Sequence, residues 1–189
     1  MDEWIAKAVS FLKGKIFRTP IEFSPDLSKI VGSPTYFKME SLQKTGSFKV
    51  RGALFYLSTL AEEEKRRGVA ACSAGNHGLG VAYAAKEGCV PCVVYIPKGT
   101  DAVKRKKIVE MGAQVIESEW IGYDETLAWA KAEAERAGQH LISAFDDERI
   151  IAANGGSIGV EILEEMPDVE NIILPISGGG GKKVCRLSN

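Results

Sequence analysis

Between Gly68 and Asp146, short runs rich in apolar residues alternate with longer helical patterns. That alternation constrains the fold more than any other feature of the chain. Gly68–Cys72, Val90–Ile96, Ala113–Glu117 and His140–Ser143 read as strands. Asn76–Glu87, Asp101–Met111 and Tyr123–Ala137 read as helices, with Gly88, Gly112 and Gly138 behind them as stops. Strands that are apolar throughout must be buried on both faces. The pattern therefore predicts an α/β fold, a parallel sheet with helices on both sides, doubly wound over residues 68–146.

The flanks read less regularly. Residues 1–14 form a helical pattern closed by Gly14. Arg18–Ile21 is extended, because Thr19 precedes a proline. Pro25–Pro34 is turn-rich, and Thr35–Met39 reads as a strand. Phe48 to about Arg67 reads as one long amphipathic helix. After Asp146 comes a helix over Ser157–Met166. A strand over Asn171–Ile176 then runs into Ser177-Gly178-Gly179-Gly180-Gly181.

Composition excludes several classes. A net charge of −1 over 189 residues gives no reason to expect nucleic acid or a membrane surface as partner. No apolar run approaches the ~20 residues of a spanning helix. The acidic start, Met1-Asp2-Glu3, lacks a signal peptide's basic region, so a cytoplasmic location is expected. Cys89 and Cys92 form a C-x-x-C that enters a strand and has no second pair of ligands, so no metal site is expected.

Three stretches carry candidate chemistry. In Lys44-Thr45-Gly46-Ser47-Phe48-Lys49-Val50-Arg51-Gly52, Thr45 and Ser47 are N-cap candidates for the following helix. Lys49 then sits near a helix start, where the positive end of the dipole disfavours its charge. A neutral lysine amine is a nucleophile toward carbonyl carbons. An ordinary surface lysine early in a helix is the plainer alternative from position alone. Ser73-Ala74-Gly75-Asn76-His77-Gly78 joins a strand to a helix N-terminus, where converging N–H groups suit a carboxylate. A plain turn capped by Ser and Asn fits equally well. Gly178–Gly181 can wrap backbone amides around a phosphate or serve as a linker. An imine-forming lysine, a carboxylate turn and a phosphate turn together are what a pyridoxal phosphate enzyme acting on an amino acid needs.

Arg18-Thr19-Pro20-Ile21, the run from Lys38 to Ala53, Ser73–Gly78 and Gly178–Gly181 resemble the fold type II (tryptophan synthase β-like) pyridoxal phosphate enzymes. Within them the likeness is to the threonine/serine dehydratase and serine racemase group, from Phe17 to Gly181. The resemblance implies that Lys49 binds the cofactor aldehyde and later moves the substrate α-proton, with Phe48 beside it. It implies that Asn76 bonds the pyridoxal 3-hydroxyl, that Gly178, Gly179, Gly180 and Gly181 bind its phosphate, and that Ser73, Asn76 and His77 hold the substrate carboxylate. The implied reaction is β-elimination from threonine or serine, giving a 2-oxo acid and ammonia. Racemases of the group usually carry a serine where this chain has Ala74, which favours elimination. A serine racemase-like enzyme and a non-catalytic truncated fragment are the alternatives, and a homo-oligomer is compatible with the family.

The family usually exceeds three hundred residues and reads Gly-Leu after its glycine run, whereas here Gly181 is followed by Lys182-Lys183. Asn154-Gly155-Gly156-Ser157 stands where the family reads Gly-Gln-Gly-Thr. On this resemblance residues 1–67 and 147–189 are part of a larger cofactor domain and 68–146 a small domain.

Overall fold

The computed structural model describes residues 1–175. Its central feature is a four-stranded parallel sheet made of β3 (Val69–Cys72), β4 (Cys92–Ile96), β5 (Gln114–Glu117) and β6 (His140–Leu141), in the order β5-β4-β3-β6. Helix α5 (Asn76–Glu87) and α6 (Ala102–Glu110) cover one face, where Ala82, Val94, Ile96, Ile108 and Ala113 form one cluster. Helix α7 (Tyr123–Arg136) covers the other, where Ala130 and Ala134 meet Ala70, Cys72, Val93 and Tyr95. Every residue of β3 is buried, which is why its sequence shows no polar alternation.

The flanks depart from expectation in four places. Pro25–Pro34 is not all turn, because Pro25–Val31 is a helix, α2. Ser24 Oγ accepts from the Leu27 N–H, Pro25 occupies the first turn, and Gly32 closes the helix at φ 74°. These start and stop signals suffice for a short helix. The strand near Thr35 does not join the parallel sheet. Tyr36–Lys38 (β2) pairs antiparallel with Ile21–Phe23 (β1), placing Ile21 opposite Lys38.

The long helix is two. Lys49–Ser58 (α3) is buried on every side from Val50 to Leu57. The Ser58 and Thr59 hydroxyls then donate to the carbonyls of Phe55 and Tyr56, and Glu62–Arg67 (α4) begins afresh. Finally, Asn171–Pro175 form no strand, and Ile173 is 92% exposed. Among the described residues no strand pairs with that segment.

Helix α3 is the hub of the remaining elements. It packs on α5, on α1 (Asp2–Leu12), on α8 (Glu148–Ile151), and on a π turn over Ala152–Gly156 that leads into α9 (Ser157–Glu165). One apolar cluster joins Leu12, Val50, Phe55, Val69, Val81 and Ile150. No helix among the described residues is long and apolar enough to cross a membrane.

Candidate active site at the carboxyl ends of β3 and β6

The chain builds β3, β4 and β5 outward in one direction and then returns to place β6 on the opposite side of β3. The order reverses between β3 and β6, and the crevice at the carboxyl ends of two such strands is where open α/β sheets bind ligands. Residues 142–146 follow β6 there, and the Ser73–Gly78 turn follows β3. A groove of about 220 Å³ opens between the segment after β6 and α7, lined among others by Cys72, Tyr123, Leu127, Leu141, Ala144 and Phe145; the Ser73–Gly78 turn does not line it.

Lys49 reaches this place from outside the sheet. It is the first residue of α3, and Ser47 Oγ accepts from its backbone N–H at 3.3 Å. Its Nζ donates to the Ala144 carbonyl at 3.0 Å and lies 5.0 Å from the Phe48 ring centroid. Burial pushes the Lys49 ammonium below the ordinary lysine range. Desolvation is the leading cause of the expected shift. Thr45 does not cap the helix: its Oγ1 is buried without a hydrogen-bond partner.

Helix α3 can deliver the lysine because α5 approaches it without a side chain at the crossing. A Cβ on Gly80 would lie 3.1 Å from the Lys49 carbonyl carbon and 3.2 Å from its oxygen. Gly78 serves the turn in the same way, since a Cβ there would fall 2.1 Å from the Ser73 carbonyl oxygen.

Within the turn, Ser73 Oγ accepts from the Gly75 N–H at 3.2 Å, and Asn76 opens α5 as an exposed residue. Its first N–H groups lie outside the intrahelical ladder and face the crevice end of the sheet. Ser73 and Asn76 are thus accessible at the expected anion site. His77 is different. Its ring is buried, and Nε2 bonds the Ile142 carbonyl at 2.8 Å. A carbonyl can only accept, so Nε2 carries the proton. Burial drives the imidazole down to about 4, leaving it neutral. Nε2 therefore ties α5 to the segment after β6 and is taken up by that bond. Gly178, Gly179, Gly180 and Gly181 lie outside the described residues.

A buried charge cluster behind Lys49 was not anticipated. Arg51, with no exposed surface, makes a two-bond fork with Glu40 at 2.9 and 2.7 Å. It makes a second with Glu161 at 2.6 and 3.0 Å, and its Nη1 also donates to Ser157 Oγ at 3.1 Å. Lys38 Nζ pairs with Glu161 at 2.7 Å, and the Thr19 hydroxyl donates to Glu40 at 2.6 Å. Burial alone would raise the Glu161 carboxyl, yet Arg51 and Lys38 hold it below its ordinary range. Beside the cluster, Asn154 Oδ1 accepts from the Gly52 N–H at 2.8 Å. These residues lie within or near the motifs quoted above, but nothing in a linear sequence marks an arginine as buried.

Burial raises the Cys92 thiol to about 12, and Cys89 is exposed.

Comparison with known proteins places this geometry. An L-threonine ammonia-lyase of Thermotoga maritima is 43% identical over 94% of this chain and 44% of its own length. A serine racemase of Oryza sativa subsp. indica is 35% identical over 93% of this chain and 51% of its own. The structure of maize serine racemase superposes with a TM-score of 0.91 at 32% identity, covering 98% of this chain and 56% of that one. The chain thus spans about half the length of the relatives it matches. The family model described as pyridoxal-phosphate dependent enzyme matches residues 12–181, and the chain belongs to that family.

Proposed function

We propose that this chain carries the lysine-bearing part of a pyridoxal phosphate-dependent threonine/serine ammonia-lyase acting in the cytoplasm, with residues 68–146 as its small domain. The observation that carries the reading is Lys49: half-buried, shifted toward the neutral amine, and held at the carboxyl ends of β3 and β6. The residues present fit the cofactor. A desolvated amine suits an aldehyde. The buried Thr45 hydroxyl nearby has no partner of its own, and the Ser73–Asn76 turn offers accessible donors.

In this reading Lys49 and Phe48 hold the cofactor's aldehyde end and Asn76 its 3-hydroxyl. Gly178–Gly181 take its phosphate. When bound, the pyridine ring supplies an electron sink for the pair left at the substrate α-carbon. Ser73, Asn76 and the backbone N–H groups opening α5 orient the substrate carboxylate. Lys49 Nζ then accepts the α-proton, and the β-hydroxyl leaves. Ala74 offers no acid on the opposite face, which favours elimination over racemisation.

Purified protein incubated with pyridoxal phosphate should develop the absorbance of the lysine-bound cofactor, and Lys49→Ala should abolish it. Threonine should then yield 2-oxobutanoate. Well-folded protein that takes up no cofactor would sink the proposal.

A further inference from the structure

We propose that Arg51 is a positioning residue for Lys49: its buried cluster with Glu40, Glu161, Lys38 and Ser157 fixes the first turn of α3, and so holds Lys49 Nζ against the Ala144 carbonyl. The inference rests on the functional reading above only for its purpose, since the geometry is independent of any cofactor.

Arg51 is two residues beyond Lys49, in the same helical turn. Its five N–H donors are all engaged, and they reach two separate pieces of chain, with a third joined through Glu161. Glu40 belongs to the 3-10 turn Glu40–Leu42, Ser157 and Glu161 to α9, and Lys38, joined through Glu161, to β2. A planar fork satisfied on both sides cannot rotate without losing several charged hydrogen bonds together. On the opposite side, Gly80 of α5 abuts the Lys49 carbonyl. The lysine backbone is therefore clamped between a charged lock and a backbone contact.

Only the side chain beyond that clamp is left to choose its place. It crosses to Ala144, far along the sequence and on the small sheet's crevice side. The groups facing it there include the Phe48 ring and the neutral imidazole of His77, and among the described residues no carboxylate pairs with it. Loosening the cluster would let Lys49 reach water and recover an ordinary ammonium.

The test reads Lys49 directly. Reductive methylation with ¹³C-formaldehyde makes each lysine visible by NMR, and Lys49→Arg identifies its signal without cofactor. Wild-type Lys49 should titrate below the other lysines. In Arg51→Met its proton affinity should rise by on the order of tenfold. Arg51→Lys keeps the charge without the fork and should give a smaller rise. Glu161→Gln leaves the Glu40 fork intact, so it keeps the test open if Arg51→Met fails to fold, and it should give an intermediate rise. A Lys49 titration unchanged in folded Arg51→Lys and Glu161→Gln, judged by circular dichroism, would overturn the proposal. If the wild-type chain takes up no pyridoxal phosphate, the functional reading fails while this titration still decides the role of Arg51.

Discussion

At the residue scale, the site depends on two groups whose proton affinity burial lowers, Lys49 and His77. For His77 the consequence can be given a sign. Its folded-state value of about 4 lies below the ordinary imidazole value of about 6.5. Between the two, the unfolded chain binds a proton that the folded chain refuses. Stability is therefore complete above about pH 6.5 and falls as pH drops toward 4, by ~3 kcal/mol at most. Urea midpoints measured across that window should fall, and His77→Gln, which keeps a donor for the Ile142 carbonyl, should flatten part of the slope. Gly80→Ala tests the clamp from the other side. Its methyl would press on the Lys49 backbone at 3.1 Å, costing ~1–2 kcal/mol and shifting the lysine. Thermal melts report the first effect and cofactor absorbance the second. Lys49 itself was legible because its neighbours are small and cap-like. The fate of His77 was not, because exposure depends on the segment after β6, more than sixty residues away in sequence.

At the element scale, helix α5 matches its sequence reading residue for residue, since Gly75 and Gly88 bracket it. Helix α3 was misjudged as half of an amphipathic helix because its outward positions are covered by α1, α8 and the π turn, which no local pattern reveals. The π turn itself exists alongside a specific bond: Asn154 takes the Gly52 N–H, so α3 and the turn share a hydrogen bond at a position with room for no side chain but glycine. Asn154→Ala should leave that N–H buried and unpaired, lowering stability by about 1–3 kcal/mol without changing the fold, as calorimetry can measure. The β1–β2 pair is a two-stranded sheet, marginal on its own. Lys38 and Glu40 tether it to α9 and α3. Amides of β1 and β2 should exchange with solvent faster than those of β3 and β4, and Glu161→Gln should widen the gap.

At the scale of the whole molecule, the parallel sheet was the most legible part of the fold and the strand order the least. Apolar runs announce burial, but they do not say which neighbour each strand chooses. The reversal that puts β6 beside β3 is what converts a turn and a loop into a crevice. It also orders events in time. β3 pairs with β4, and β4 with β5, across single helical crossovers, while Val69 finds His140 only after everything between them has been spanned. Closing that long loop carries the larger entropic cost and should come late in folding. The lysine's contact with Ala144 and the histidine's with Ile142 both wait on it. In refolding experiments, a chain that has regained most of its helix should still leave Lys49 accessible to acylating reagents, and its protection should appear only in the slowest phase.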